Sequence, residues 1–215
     1  MRGLYVITPA NLTDPDDLAA AISAAIAGGA AWVQLRYKGS DQGLAHALTE
    51  AAMSACKTND TPLLINDHIA LAHTHAAAGV HLGQTDGSIA EARTRLGPLA
   101  VIGSTCHDSE TLMQNAVTEG ATYCAFGRLF SSSTKPDASG LSLSRLATLV
   151  TRCPLPVVAI GGINASNAES VLATGVSALA VSGAVFDAPD VSEAAYQLAQ
   201  LLKETPTNVL MLFCL

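Results

Sequence analysis

Residues 4–36 read LYVITPANLTDPDDLAAAISAAIAGGAAWVQLR, and this stretch contains one complete unit of the predicted fold. Its apolar, β-branched start predicts a buried strand. Asp14 and Pro15 then supply an N-cap and a first-turn proline, and two further acids suit the positive end of a helix dipole. The alanine-rich helix should end at Gly28 and Gly29, directly before a second apolar run.

The same alternation of short apolar runs and longer alanine-rich stretches recurs along the chain. It predicts repeated strand–helix units around a parallel sheet, with Gly97, Gly120 and Gly175 closing three of the helices. Eight such units favour an α/β fold of the (β/α)8 TIM-barrel type over an open doubly wound sheet. The predicted strands are 4–8, 32–36, 62–66, 79–82, 100–104, 123–127, 156–160 and 179–182.

The size and composition of the chain predict a single domain. Its 215 residues fall within the range of one barrel, and a hydrophobic content of 49% against 13% charged residues provides for a large core. We assign residues 1–204 to the catalytic barrel and residues 205–215 to a hydrophobic tail of unknown role. The tail is too short to span a bilayer, and it could pack on the barrel or bind a partner.

The charge and hydropathy of the chain argue against several classes of function. A net charge of −7 argues against a nucleic-acid surface, so the expected partners are small-molecule substrates. Neither a membrane span nor a signal-peptide pattern is visible, and a cytoplasmic location is expected. The five cysteines have irregular spacings without a CxxC pair, which favours reduced structural thiols over a zinc or redox site.

Polar and glycine residues follow seven of the eight predicted strands. In such barrels the chemistry lies at the carboxyl ends of the strands, so these residues are the candidates for a site. They are Gln34, Leu35, Arg36, Tyr37 and Lys38; Asn66 and Asp67; Asp86; Thr105 and His107; residues 131–135; Gly161 and Gly162; and Ser182 and Gly183.

Three basic residues could hold a polyanion at this rim. Arg36 and Lys38 are two residues apart, so on a continuing strand they would face the same side. Lys135 lies on the long connection at 128–140, whose length is typical of a functional or disordered loop. A guanidinium and ammonium groups suit phosphate oxygens, although solvated rim charges are the simpler alternative.

Two carboxylates suggest a metal site. Asp67 and Asp86 would come from adjacent strands, where they would repel each other unless a cation or proton lay between them. Mg²⁺ bound by one or two carboxylates and by substrate phosphates fits this arrangement. The alternative is that both are helix caps, because each precedes a predicted helix.

The glycine pairs after strands seven and eight predict a second phosphate site. Gly161 with Gly162, and Ser182 with Gly183, offer backbone N–H groups where barrels commonly bind phosphate, although plain turns remain the alternative. His107 could transfer a proton, but a histidine in a rim loop more often serves as a hydrogen-bonding residue. Trp32, Tyr123 and Phe126 are interpreted as core or wall residues.

Six ordered segments of the chain carry a resemblance to a known family. The segments are YVIT at 5–8, QLRYK at 34–38, IND at 65–67, GVHLGQTD at 79–86, STK at 133–135 and AIGGI at 159–163. They resemble the thiamine phosphate synthase family, and the resemblance extends from residue 5 to about residue 183. This resemblance implies a transferase that joins a hydroxymethylpyrimidine diphosphate to a thiazole phosphate, or to its carboxythiazole form, and releases diphosphate. The implied substitution is dissociative and requires Mg²⁺.

The resemblance also implies residue roles. Gln34 would hold the pyrimidine, with Thr105 nearby, and Asp67 and Asp86 would bind Mg²⁺. Leu35 and Tyr37 would complete the substrate-binding segment. The diphosphate would be bound by Arg36, Lys38, Asn66 and Lys135, of which Arg36, Lys38 and Lys135 are the catalytic candidates. The thiazole phosphate would be bound by Ser132, Thr134, Gly162, Val181 and Ser182, and Ser133 would be a further substrate-binding residue.

The chain departs from the family pattern at three positions and leaves two rival functions open. Thr105 stands where serine is usual, Arg128 where proline is common and Ser132 where threonine is common. A related thiazole tautomerase would need a base such as His107, but it would have no departing diphosphate for Lys135 and the other charged residues to bind. A noncatalytic phosphate-ligand binding protein is the third possibility, and a homo-oligomer is possible in each case.

Overall fold

Eight parallel strands close into a barrel. The computed structural model describes residues 1–130 and 140–204 of the chain. Each strand pairs with the next in sequence, and the last pairs with the first, so the predicted barrel is confirmed over the open sheet. The strands are β1 (Gly3–Ile7), β2 (Ala30–Leu35), β3 (Leu63–Asn66), β4 (Gly79–Leu82), β5 (Val101–His107), β6 (Tyr123–Phe126), β7 (Val157–Ile160) and β8 (Ala178–Val181).

Helices connect the strands around the outside of the barrel. In the described part of the chain, one helix follows each of the first seven strands and two follow β8. These helices are α1 (Pro15–Ala27), α2 (Gln42–Lys57), α3 (Ile69–Thr74), α4 (Ile89–Leu96), α5 (Glu110–Glu119), α6 (Leu143–Arg152), α7 (Ala168–Leu172), α8 (Gly183–Phe186) and α9 (Val191–Glu204).

The predicted helix boundaries hold where capping chemistry is clear. The Asp14 side chain caps α1 by accepting hydrogen bonds from two backbone N–H groups, and Gly28 is the C-cap residue. Gly97 and Gly120 likewise close α4 and α5. Gly175 has the predicted positive φ, of 88°, and closes the turn that follows α7, although the helix itself already ends at Leu172.

Two strand boundaries differ from the prediction in ways that affect the site. β2 ends at Leu35, so Arg36 and Lys38 lie in the following loop and not on a continuing strand. β5 continues to His107 through an irregularity in its pairing with β6. Thr105 therefore belongs to the strand itself, which holds its backbone in the barrel wall.

Side chains that alternate along the strands form two separate cores. The barrel interior contains a cluster that includes Tyr5, Leu64, Tyr123 and Val158. The intervening residues, such as Phe126, pack between the strands and the helices in a larger outer core. Tyr123 and Phe126 are fully buried, which confirms their interpretation as core residues.

Some predictions concern residues that the structure does not describe or does not test. The hydrophobic tail at 205–215 and most of the long connection, at 131–139, lie outside the described ranges. Within those ranges, no helix is both long enough and apolar enough to cross a membrane. The described cysteines, Cys56, Cys106, Cys124 and Cys153, are free thiols.

Candidate active site

Asp67 and Asp86 bring two carboxyl groups together at the ends of β3 and β4. The Asp67 backbone has a φ of 65° and donates a hydrogen bond to the His81 carbonyl at 2.9 Å. Asp86 accepts a hydrogen bond from the Gly83 backbone at 3.1 Å. Burial raises the pKa of Asp86, and the neighbouring Asp67 carboxyl raises this pKa further.

The alternative interpretation of these aspartates as helix caps is wrong. Ser88 caps α4 by accepting a hydrogen bond from the Glu91 backbone. The N-cap residue of α3 is His68, which makes no capping hydrogen bond with its side chain. Both aspartates are therefore available for another task at the rim.

One carboxylate oxygen of Asp67 accepts from two neighbouring donors, of which one is positively charged. The ammonium group of Lys38 pairs with Asp67 Oδ2, and the Asn66 amide donates to the same oxygen at 2.5 Å. Lys38 is exposed, whereas the Asp67 side chain retains only 11% of its accessible surface. The ammonium of Lys38 already balances part of the charge of Asp67, and the adjacent Asp86 carboxyl group favours a further cation at this position.

The chemistry of these donors fits Mg²⁺. Carboxylate oxygens are ligands that Mg²⁺ prefers, and it commonly takes one or two of them together with water and phosphate oxygens. Among residues 1–130 and 140–204, no cluster of three or more His, Cys, Asp or Glu side chains could hold a metal. The two aspartates could therefore hold Mg²⁺ with a phosphorylated ligand that completes its coordination.

Arg36 provides a second positive charge in the loop that follows β2. Its backbone N–H donates to the Thr8 hydroxyl at 2.9 Å, which fixes the start of the loop after β2. None of the ion pairs within the described ranges uses its guanidinium. The half-buried Arg36 can thus bind an anion without first breaking an ion pair.

A chain of hydrogen bonds crosses the barrel interior between β2 and β5. Gln34 Nε2 donates to Tyr5 Oη at 2.5 Å, and the hydroxyl groups of Tyr5 and Tyr123 are 3.1 Å apart. His81 Nδ1 lies 2.8 Å from Tyr123 Oη, and its Nε2 lies 2.9 Å from Thr105 Oγ1. We call these five side chains the interior relay.

Burial keeps the histidine of the interior relay in its neutral form. Burial lowers the pKa of His81 to about 4, although the negative charge of Asp86 partly opposes this effect. Burial also raises the pKa of Tyr5 and of Tyr123. All three side chains are therefore neutral near pH 7 and interact through hydrogen bonds rather than charge.

The absence of a side chain at Gly103 leaves space for Tyr123 and His81, the central residues of the interior relay. A Cβ atom at this position would lie 2.1 Å from the Tyr123 ring and 2.5 Å from His81 Nδ1. Such distances are far shorter than van der Waals contact. A side chain at position 103 would therefore displace the tyrosine or the histidine.

The ends of β7 and β8 form the other side of the rim. Gly161 and Gly162 both have positive φ angles, of 107° and 66°, and the Asn167 amide fixes the turn by donating to the Gly162 carbonyl at 3.0 Å. Ser182 is the N-cap residue of α8, and its side chain makes no capping hydrogen bond. The Ser182 hydroxyl can therefore turn towards a ligand.

Several predicted residues occupy other positions. The side chains of Leu35 and Val181 pack in the outer core, so their contact with a ligand would come from the backbone. Tyr37 is half-buried against the same core. His107 is exposed at the end of β5, with a φ of 53°. The predicted residues Ser132, Ser133, Thr134 and Lys135 lie outside the described ranges.

Sequence reasoning assigned no function to Tyr5 or His81. Both lie within segments that carry the family resemblance, and each is a polar residue on the inward side of its strand. The alternation along residues 79–82 would have shown that His81 points into the barrel. Its partners could not have been identified in this way, because they lie on strands distant in sequence.

The fold and the rim together define a (β/α)8-barrel protein whose candidate site lies at the carboxyl ends of its strands. The model of the thiamine monophosphate synthase family matches residues 4–185. The chain belongs to this family, whose named relatives are transferases, and the expected enzyme class is confirmed.

Close relatives cover nearly the whole chain. The thiamine-phosphate synthase of Thiobacillus denitrificans is 43% identical over 204 residues, which cover 95% of this chain and 96% of that protein. The thiamine-phosphate synthase of Methylococcus capsulatus is 44% identical over 200 residues, covering 93% and 89%. A solved structure of thiamine phosphate pyrophosphorylase from Pyrococcus furiosus superimposes with a TM-score of 0.84 at 31% identity, covering 94% and 96%.

Proposed function

We propose that this chain catalyses an Mg²⁺-dependent synthesis of thiamine phosphate. It would join 4-amino-2-methyl-5-(diphosphooxymethyl)pyrimidine to 4-methyl-5-(2-phosphooxyethyl)thiazole and release diphosphate. With the carboxythiazole phosphate as the substrate, the carboxyl group would also leave as CO2. The observation that carries this proposal is the carboxylate pair of Asp67 and Asp86, beside Lys38 and Asn66 and at the rim above the interior relay. Family membership supports the reaction class.

The leaving diphosphate would bind on the side of β2, β3 and β4. Arg36 and Lys38 provide positive charge there, Asn66 provides an amide, and Lys135 would close the site from its loop. Lys38 would exchange its contact with Asp67 for the diphosphate oxygens. Bound by Asp67 and Asp86, Mg²⁺ would neutralise the negative charge that develops on the departing diphosphate.

The reaction would require no protein nucleophile. The bond between the methylene carbon and the diphosphate oxygen breaks, the oxygen takes the electron pair, and the thiazole nitrogen then attacks the methylene carbon. Gln34 and Thr105 would orient the pyrimidine from the floor of the site. Catalysis would therefore depend on positioning and on preorganised charge.

The thiazole phosphate would bind on the opposite side of the rim. Gly162, the Val181 backbone and Ser182 would receive its phosphate, together with Ser132, Ser133 and Thr134. The positive φ angles of the glycine turn expose backbone N–H groups that can donate to phosphate oxygens. A cytoplasmic location and a possible homo-oligomer remain predictions.

The direct test is formation of thiamine phosphate from the two purified substrates, with Mg²⁺ and with EDTA. We expect product only with Mg²⁺, and we expect Asp67→Ala to lower kcat by at least about 10²-fold, the usual effect of removing one preorganised electrostatic contact. Glu119→Ala is the matched control, because Glu119 is an exposed carboxylate at the end of α5, away from the carboxyl ends of the strands. Equal product with EDTA would exclude the metal role, and absence of product from folded wild-type protein would refute the proposed reaction.

A further inference from the structure

The interior relay has a direction that its first hydrogen bond determines. Gln34 donates through Nε2, so Tyr5 Oη is an acceptor at that contact. A phenol carries one proton, and the relay contact left for the proton of Tyr5 is Tyr123 Oη, 3.1 Å away. Tyr123 accepts there and must donate its own proton to His81 Nδ1, at 2.8 Å.

The same direction continues through the histidine to the rim. Because Nδ1 accepts, a neutral His81 carries its proton on Nε2 and donates it to Thr105 Oγ1 at 2.9 Å. The Thr105 hydroxyl therefore keeps its own proton for a ligand. At the other end, Gln34 has used an N–H, which leaves its amide oxygen as an acceptor.

We propose that the interior relay selects the amino form of the pyrimidine by presenting an acceptor at Gln34 and a donor at Thr105. A 4-aminopyrimidine offers the complement, since its exocyclic amine donates and its ring nitrogens accept. A 4-oxopyrimidine has a carbonyl in place of the amine, which would be mismatched with the Gln34 oxygen, and its protonated ring nitrogen cannot accept a hydrogen bond from Thr105. The identity of the ligand rests on the proposed function, whereas the direction of the relay does not.

Burial explains how three side chains can act from below the site. Tyr5, Tyr123 and His81 retain 1%, 0% and 8% of their accessible surface, so little bulk water competes for their hydrogen bonds. Reversing the direction would require every member of the relay to change its donor and acceptor roles together. Tyr5, Tyr123 and His81 are thus positioning residues that act through Gln34 and Thr105.

The direction can be measured without any substrate. Nitrogen-15 NMR of the histidine rings distinguishes the two neutral tautomers, and the His81 signals are those absent from His81→Gln and shifted in Tyr123→Phe. We expect His81 to carry its proton on Nε2 in the wild-type protein. A proton on Nδ1 would reverse the relay and overturn the proposal.

The selectivity is tested by comparing the amino and the 4-oxo pyrimidine diphosphates as substrates and, by calorimetry, as ligands. We expect Tyr123→Phe to reduce the preference for the amino compound about tenfold, roughly the contribution of one hydrogen bond. Tyr5→Phe should have the same effect if Tyr123→Phe does not fold. Tyr196→Phe is the matched control, because Tyr196 is 51% exposed on α9.

The possible outcomes distinguish a failure of this inference from a failure of the proposed function. A purely structural role for the tyrosines would weaken both compounds equally, and an unchanged preference would overturn the selectivity. If the wild-type protein forms no thiamine phosphate, the proposed reaction fails. The tautomer and the ratio of the two dissociation constants still decide whether the relay selects the amino form.

Discussion

At the scale of single residues, the raised pKa of Asp86 is the most informative property of the candidate site. Its carboxyl group is partly buried beside that of Asp67, and both features raise its pKa. The ionised form is therefore disfavoured in the folded protein. Above the raised pKa this charge lowers stability, and protonation or a bound cation removes the effect.

Asp86→Asn should raise the melting temperature of the metal-free protein at neutral pH and abolish the stabilisation by Mg²⁺. The amide removes the repulsion from Asp67 but is a poorer ligand for the metal. Thermal unfolding with and without Mg²⁺ measures both effects, and Asp60→Asn, at an exposed aspartate in the turn between α2 and β3, serves as the control. A lower melting temperature in metal-free buffer would contradict the electrostatic argument.

At the scale of secondary structure, one acidic residue on α5 forms ion pairs with α6, the helix that follows the connection around residues 131–139. Glu110, at the start of α5, pairs with Arg145 at 2.8 Å and with Arg152 at 2.7 Å on α6. Hydrogen bonds from Arg152 and Arg145 lower the pKa of Glu110. This contact anchors α6 directly after the connection.

Glu110→Gln should modestly lower stability at neutral pH and have no effect in acid. Because the folded-state pKa of Glu110 is lowered, its contribution is present above the ordinary carboxyl pKa and is lost as the pH falls through the folded-state value. Urea unfolding across this pH range measures the difference. Glu91→Gln, which breaks an exposed pair within α4, should have a smaller effect, and a pH-independent difference would refute the ionic explanation.

At the scale of the whole molecule, closure of the barrel assembles the site from strands that are distant in sequence. The hydroxyl groups of Tyr5 and Tyr123 meet across 118 positions of the chain. The carboxylate pair, the basic loop after β2 and the glycine turns belong to different strand–helix units. A ligand that contacts several units should therefore stabilise the entire fold.

Mg²⁺ and inorganic diphosphate together should raise the melting temperature more than the sum of their separate effects. At 100 times the dissociation constant, binding adds about 2.7 kcal/mol, or roughly 5–10 °C for a domain of this size. Differential scanning fluorimetry with each ligand and with both measures the effect. Purely additive shifts would show that the metal and the diphosphate do not share a site.

Many of the helix ends and strands could be predicted from the local sequence. Asp14 and Gly28 mark the ends of α1, and alternating apolar runs identify the strands, because caps and strand periodicity depend on neighbours in the chain. Asp67 and Asp86 were found because barrel chemistry lies at strand ends. The end of β2 before Arg36 and the extension of β5 to His107 were not found, because strand pairing decides them.

The sequence by itself therefore determined the order of the elements, the class of the barrel and the candidate residues at its rim. Only the tertiary structure decided that Asp67 and Asp86 share one site and do not cap helices, and that Gln34, Tyr5, Tyr123, His81 and Thr105 form one connected relay. The physical reason is that caps and periodicity act within a few residues, whereas hydrogen bonds across a closed barrel join side chains whose separation in the chain carries no local signal.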